Sequence, residues 1–98
     1  MIENFKDGQS GSLAQFHLNK KRAKDIPLTI ESALARKLDL IEYATTERSL
    51  FAPPGNHYER LSGSLEGWSS IRVNIQWRLI FRWRDGAAQG VYLDPHKY

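Results

Sequence analysis

The segment from residue 67 to 84 alternates apolar and polar residues with a period of two, and this alternation constrains the fold more than any other feature. Its sequence is GWSSIRVNIQWRLIFRWR. Successive side chains of a β-strand lie on opposite sides of the sheet, so the alternation predicts two strands that share one apolar face. A turn centred on Ile75 places Arg72 directly opposite Arg78 on the polar face. Like charges that face each other across two strands are destabilising, so this pair requires an anion from the protein or from a ligand.

The composition is that of a small globular protein with an excess of positive charge. The 98 residues predict one domain spanning residues 1–98, and 41% hydrophobic residues are enough for a core. Because the sequence shows neither a membrane span nor a secretory signal, we expect a cytoplasmic protein. The absence of cysteine excludes a disulfide scaffold and a thiolate zinc site. The net charge of +3 favours nucleic acid or an acidic protein as a partner.

The whole chain predicts a strand, two helices and then four strands. The predicted elements are a strand at residues 2–5, a short helix at 12–18, a main helix at 28–44, and strands at 58–61, 68–73, 77–83 and 89–93. Two prolines and a glycine break regular structure within residues 51–56, and Asp85-Gly86 is a strong hairpin signal. This order predicts an α+β fold in which the helices pack on one face of a mainly antiparallel sheet.

The main helix is predicted to cover the apolar face of the sheet. Its apolar residues recur at three- and four-residue spacing, as in an amphipathic helix. They are Ile30, Ala33, Leu34, Leu38 and Ile41. The tryptophans at positions 68, 77 and 83 are expected to belong to the same core rather than to stack on bases.

The polar face carries the candidate functional residues. Asp94 and His96 follow the last predicted strand and are the candidate partners of Arg72 and Arg78. A solvated face that carries arginines without a functional site is the alternative interpretation.

Several segments of the chain resemble the RelE-like toxins of bacterial toxin–antitoxin pairs, in the branch called HigB. They are MIENF, DLIEYAT, PPGNHYERLSG, SIRVNIQWRLIFRW and the closing Asp94-Pro95-His96. The resemblance implies a RelE-like fold and a metal-independent endoribonuclease that enters the ribosomal A site and cuts mRNA. It also implies a helix-turn-helix antitoxin of the HigA type, in a heterotetramer that binds its own operator DNA.

The residues of the polar face suit this chemistry. RNA cleavage without a metal uses the neighbouring 2′-hydroxyl as nucleophile, so it needs a base, an acid and positive donors around the phosphate. Arg72 and Arg78 offer planar guanidinium groups that match phosphate oxygens and stay charged. His96 can serve as acid or base, and Asp94 as base or as the group that orients a cation. We predict that these four residues are catalytic. No His, Asp and Glu spacing matches a metal site, and no cofactor is expected.

Two departures from the family pattern bear on RNA binding. Ser62 lies where family members often have a lysine, and Pro95 replaces the closing tyrosine, so the roles of that lysine and that tyrosine are not transferred. His57 and Arg60, just before Ser62, are the candidates to take over the phosphate contact of the lysine.

Three further residues are candidates for RNA binding. Arg82 lies on the same polar face as the other arginines. Lys20 and Lys21 belong to the basic connector NKKRAKD and either contact RNA phosphates or solvate a loop. The histidines His17 and His57 are otherwise expected to be ordinary surface residues.

Two other classes of function remain open. One is a non-catalytic or weakly active module of the same fold that binds RNA or the ribosome, and the changes at Ser62 and Pro95 favour it. The other is a protein-interaction domain whose arginine face binds an acidic partner. A neighbouring gene for a small helix-turn-helix protein would support the toxin over both.

Overall fold

The computed structural model describes residues 1–95, which form two α-helices and a four-stranded antiparallel sheet. The helices are α1 (Ser12–Asn19) and α2 (Glu31–Tyr43), and the strands are β1 (Glu59–Arg60), β2 (Ser69–Arg72), β3 (Trp77–Arg84) and β4 (Ala87–Pro95). Neighbouring strands in the sheet are also neighbours in sequence, in the order β1-β2-β3-β4. The predicted α+β class is confirmed.

Both helices form where the apolar periodicity predicts them. The main helix begins later than predicted, because residues 28–30 form a 3₁₀ turn before α2. Leu34, Leu38 and Ile41 lie one or two turns apart on α2 and are buried. Over residues 1–95 no helix combines the length and the apolar character needed to cross a lipid bilayer.

The core lies between the helices and one face of the sheet. Ile71, Leu79 and Phe81 from β2 and β3 are fully buried in one cluster with the apolar residues of α2. Trp77 and Trp83 are half-buried and pack against this cluster, as predicted. Burial of a large apolar side chain contributes about 1.5–3 kcal/mol, so this face of β3 is a main source of stability.

Both predicted hairpins form, and each has a local cause. In the β2–β3 turn the side-chain oxygen of Asn74 accepts the backbone N–H groups of Gln76 and Trp77, at 2.9 and 2.8 Å. Asn favours turns for this reason. In the β3–β4 turn Asp85 and Gly86 have φ angles of 52° and 78°. Positive φ at both central residues is what a type I′ hairpin requires.

The predicted first strand, residues 2–5, is not a continuous strand. This segment joins β4 through two isolated parallel bridges, which pair Ile2 with Ala88 and Phe5 with Val91.

A bulge in β4 explains the interruption. Gly90 has a φ of 63°, and the register between β3 and β4 shifts between Ile80 and Arg82. The backbone N–H of Gly90 therefore donates to the side-chain oxygen of Asn4, at 2.6 Å, instead of to a main-chain carbonyl. A side chain thus replaces one rung of the ladder that a continuous strand would make.

His17 links the two helices, and the prediction that it is a surface residue is wrong. Its side chain is only 8% exposed, and its Nε2 lies 2.9 Å from Oε1 of Glu42. The other oxygen of Glu42 accepts the backbone N–H of Ile2 at 3.2 Å. Burial alone would raise the pKa of Glu42, but these hydrogen bonds and the nearby positive charges lower it below its ordinary value.

Candidate functional site

The centre of the site is a row of three charged side chains that crosses β2, β3 and β4. The register pairs Arg72 with Arg78 and Arg78 with Asp94, so the three side chains lie on one face, opposite the core. This is the arrangement that the alternating sequence predicts. The Nε of Arg78 donates to Oδ2 of Asp94 at 3.1 Å, and the two side chains are 20% and 31% exposed. We call Arg72 and Arg78 the arginine pair.

Arg72 has a different environment from Arg78. Over residues 1–95 no carboxylate lies within ion-pair distance of its guanidinium group. Its polar neighbour is His57, whose Nε2 lies 3.5 Å from a terminal nitrogen of Arg72. The arginine pair therefore has two positive charges and one paired carboxylate, and an anion between the two side chains would be stabilised by both.

A structured connection holds His57 beside Arg72. His57 has a φ of 44° and ends the 3₁₀ turn Pro54–Asn56. Asn56 is completely buried, and its side chain donates to the carbonyl of Leu50 at 3.1 Å and accepts from Lys37 at 2.6 Å. The backbone just before His57 is thus fixed by the protein interior. The structure brings His57 to the arginine pair, as its RNA-binding role would require.

A shallow cleft of about 60 Å³ lies over the arginine pair. Its lining residues are His57, Glu59, Ser70, Arg72, Asn74, Ile75, Trp77 and Arg78. Sequence reasoning missed Glu59. Its place in the cleft follows from the pairing of Glu59 with Ser70 across β1 and β2. The site therefore contains a second carboxylate, which does not hydrogen-bond to either arginine.

The same face carries a second group of side chains, which we call the aromatic patch and define as Lys6, Trp68, Arg82 and Tyr92. The rings of Trp68 and Tyr92 meet edge to face, with centroids 6.0 Å apart. The guanidinium of Arg82 lies 4.8 Å from the centroid of Trp68, and Nζ of Lys6 lies 4.5 Å from that of Tyr92. The prediction that Trp68 is a core residue is wrong.

Gly90 explains why Trp68 fits on this face. A Cβ atom at position 90 would lie only 2.9 Å from the Trp68 ring, so the ring occupies the space that any other residue would fill. Ile80, which lies between Ser70 and Tyr92 in the register, is fully buried on the same face. This part of the polar face is consequently a second, smaller packed layer rather than a solvated surface.

Tyr92 of the aromatic patch interacts electrostatically with the Arg78–Asp94 ion pair. Burial raises the pKa of the Tyr92 phenol, the carboxylate of Asp94 raises it further, and Arg78 acts in the opposite direction. Tyr92 therefore lies close enough to interact with both charges of the Arg78–Asp94 pair. Because its pKa is raised, its hydroxyl remains a neutral hydrogen-bond donor at neutral pH.

Arg60 has a local partner of its own. It donates to both oxygens of Glu47, from Nε at 3.3 Å and from a terminal nitrogen at 3.1 Å, and its side chain is 69% exposed. Tyr58 donates its hydroxyl to the same carboxylate, and burial together with Glu47 raises the pKa of Tyr58 to about 12. The positive charge of Arg60 is already compensated, so its RNA-binding role stays a prediction that this geometry does not favour.

The structure does not bring Lys20 and Lys21 to the arginine pair. They are exposed at the C-terminal end of α1. Leu13 and Phe16 of α1 pack against the core, which is on the opposite side of the sheet from the site.

His96 lies outside the described residues. Of the two departures from the family pattern, Ser62 is exposed at the start of a short 3₁₀ turn, and Pro95 is exposed at the end of β4. Within residues 1–95, no three His, Asp or Glu side chains converge in a way that would hold a metal ion.

Comparison with known proteins identifies the family. The family model described as "RelE-like toxin of type II toxin-antitoxin system HigB" matches residues 3–96. The chain belongs to the HigB family of RelE-like toxins. It is 56% identical over 86 residues to Toxin HigB-1 of Vibrio cholerae, covering 88% of this chain and 90% of that protein. It is 38% identical over 96 residues to an uncharacterized protein of Haemophilus influenzae, covering 98% and 92% of the two chains.

Family membership identifies the biological system to which the protein belongs, which the geometry of the site alone does not show. The chain is a HigB-like toxin of a type II toxin–antitoxin system, and such a system implies an antitoxin as partner. The predicted RelE-like fold and HigB family are both confirmed.

Proposed function

We propose that this HigB-family toxin is a ribosome-dependent endoribonuclease that cleaves mRNA without a metal ion and thereby inhibits translation. The observation that carries the proposal is the position of Arg72 directly opposite Arg78, while the one paired carboxylate, Asp94, lies on the far side of Arg78 from Arg72. An RNA phosphate is the anion that this arrangement fits, because guanidinium groups bind its oxygens through paired N–H donors.

The arginine pair stabilises the charge that develops on the phosphate when the neighbouring 2′-hydroxyl attacks it. Arg78 is oriented by Asp94, and Arg72 lies beside His57. Fixed donors aimed at a developing charge are worth about 10²- to 10³-fold in rate for each donor removed. Both arginines should therefore be required for cleavage rather than only for affinity.

We assign the roles of orienting group, general base and general acid to different residues. Asp94 accepts a hydrogen bond from Nε of Arg78, so we assign it the role of orienting that guanidinium group. Glu59 and His57 line the cleft and are the candidates for the base that removes the 2′-hydroxyl proton. His96, two residues after Asp94, is proposed as the acid that protonates the leaving oxygen, a role that rests on the family resemblance.

The openness of the site supports dependence on the ribosome. Pockets that enclose a small ligand have volumes of about 300–1,000 Å³. The cleft over the arginine pair has about 60 Å³, which is too small to enclose a nucleotide. A site this open leaves most of a nucleotide outside it, and mRNA held in the ribosomal A site would be positioned over the cleft by the ribosome.

We further propose the partners that the family resemblance implies. They are a HigA-like helix-turn-helix antitoxin, a toxin–antitoxin heterotetramer that binds its own operator DNA, and a cytoplasmic site of action. The net charge of +3 suits an acidic antitoxin as well as RNA.

A weakly active module that binds RNA or the ribosome is the second candidate function. The exposed Ser62 and Pro95 favour it, since each replaces a side chain that could contact RNA. Such a module would keep the arginine pair but would not cleave.

Induced expression with growth measurement and mapping of new mRNA 5′ ends distinguishes the two functions. The variants are Arg78→Ala and Glu59→Gln, with Arg36→Ala as control because Arg36 is an exposed cation on α2, which packs on the opposite side of the sheet. Growth arrest with new 5′ ends in wild type and the control, lost in Arg78→Ala, supports the nuclease. A soluble, folded wild type that binds ribosomes without producing new ends supports the binding module.

A further inference from the structure

The aromatic patch contains two cations, and no carboxylate among residues 1–95 pairs with either of them. Over residues 1–95 the ion pairs of the protein include neither Lys6 nor Arg82. Both cations lie instead on aromatic rings, Lys6 on Tyr92 and Arg82 on Trp68. A cation on a ring face keeps its N–H donors free, because the ring accepts none of them as conventional hydrogen bonds.

Arg82 is also incompletely satisfied. Its Nε is buried and has no hydrogen-bond partner within residues 1–95. Buried polar atoms nearly always have a partner, so an orphaned donor in a native fold points to a group that the protein alone does not supply. A phosphate bound at the other guanidinium nitrogens would place acceptor oxygens beside this side chain.

The position of the patch indicates which anion it binds. Arg78 and Arg82 lie on the same face of β3, four residues apart, which corresponds to about 13 Å along the strand. Tyr92 pairs with Ile80, between the two arginines, and interacts electrostatically with Arg78 and Asp94. An RNA strand whose reacting phosphate lies at the arginine pair can therefore extend along β3 onto the aromatic patch.

Aromatic rings interleaved with cations are the features that proteins use to bind single-stranded nucleic acid without reading its sequence. An acidic protein segment would also be attracted by the charges, but it would gain nothing from the two rings. We propose that Lys6, Trp68, Arg82 and Tyr92 form a second RNA subsite, which binds the sugar-phosphate backbone of the nucleotides next to the cleaved one.

This subsite rests on the proposed function, because it takes the arginine pair as the point of cleavage. Its role is affinity rather than chemistry. Substitutions in the patch should raise KM on programmed ribosomes and leave kcat unchanged, whereas Arg78→Ala lowers kcat.

The test is an NMR titration of the full-length toxin with a short single-stranded RNA whose 2′-hydroxyls are methylated, so that it cannot be cleaved. The indole N–H signals provide an internal comparison. Trp68 lies in the patch and Trp83 packs on the opposite face against the core. We expect the Trp68 signal to shift with added RNA while the Trp83 signal stays in place.

Charge-neutral variants then test the two cations. Lys6→Gln and Arg82→Gln should each weaken the affinity for RNA about tenfold. Each should also make the slope of log K against log salt concentration shallower by about 0.7, as expected for the loss of one phosphate contact. Arg36→Gln removes the same charge from the exposed side of α2, across the sheet from the patch, and should leave the affinity within about twofold. The NMR spectrum of each variant reports whether it is folded.

Each outcome decides the inference. No shift of Trp68, or equal affinities for the patch variants and the Arg36 control, would overturn it. A shift of Trp68 with an acidic peptide but not with RNA would also overturn it, in favour of a protein partner. Because the RNA in this titration cannot react, a positive result stands even where ribosomal cleavage fails, and cleavage with a negative titration removes the subsite alone.

Discussion

The contact between Arg78 and Asp94 allows the role of each residue to be separated by experiment. Arg78 donates to Asp94 through Nε at 3.1 Å, so its two terminal nitrogens remain for a phosphate. We predict that Arg78→Ala lowers the single-turnover cleavage rate by about 10²- to 10³-fold, equivalent to about 3–4 kcal/mol, because one fixed donor is lost.

Asp94→Ala should cost less, about 10- to 100-fold, since the guanidinium remains but loses its orientation. If orientation is the whole role of Asp94, the double variant Arg78→Ala/Asp94→Ala is no slower than Arg78→Ala alone, since residues that act as a unit are non-additive. The assay is single-turnover cleavage of mRNA on programmed ribosomes.

A control uses the more exposed ion pair of Arg60 and Glu47, which lies outside the cleft. Its double variant should cleave like wild type. Arg78→Ala leaves Asp94 without its partner, and because both groups are partly exposed the loss of unfolding free energy should be only about 1 kcal/mol. A double variant slower than Arg78→Ala by the full Asp94 factor would refute the orienting role and make Asp94 an independent base.

Three further predictions concern stability and substrate contact. Glu42→Gln should lower the free energy of unfolding at neutral pH, as measured by chemical denaturation. Because the folded-state pKa of Glu42 is lowered, the loss relative to wild type should be complete above the ordinary pKa of 4.5 and should disappear as the pH falls below that value. Gly90→Ala should cost at least about 1–2 kcal/mol of unfolding free energy, since φ is positive and the Trp68 ring occupies the Cβ position, and melting curves of this variant and wild type measure it. Arg60→Ala should leave the cleavage rate within about threefold of wild type, because its charge is paired with Glu47, and a loss comparable to that of Arg78→Ala would show that Arg60 contacts the substrate.

The sequence predicted the arginine pair because its position depends on local rules alone. The alternation assigns Arg72 and Arg78 to one face, and the Asn74 turn sets their register. The same reasoning could have found Trp68, which is an even number of residues from Ser70 and Arg72 and therefore lies on their face. Its apolar character suggested the core, and the space above Gly90 that accommodates it depends on the β4 bulge.

Other parts of the site depend on contacts between segments that are distant in sequence. Glu59 reaches the cleft only through the pairing of β1 with β2, across a connection that has no turn signal as clear as Asp85-Gly86. His57 reaches Arg72 because Asn56 is bonded to Leu50 and Lys37 in the interior. No periodicity in a single sequence reports such contacts. The sequence therefore offered His57 as an RNA-binding candidate without predicting its contact with Arg72, and it did not predict Glu59 at all.

The most direct test of the central claim is cleavage of mRNA that carries a single 2′-deoxynucleotide at the position cut on programmed ribosomes. If the arginine pair stabilises attack by the neighbouring 2′-hydroxyl, wild-type toxin leaves the deoxy-substituted mRNA intact and cuts the unmodified mRNA to a 2′,3′-cyclic phosphate. Arg72→Ala and Arg78→Ala then cut the unmodified mRNA about 10²- to 10³-fold more slowly. Cleavage of the deoxy-substituted mRNA at an undiminished rate would contradict the account, because the attacking group would then not be the 2′-hydroxyl.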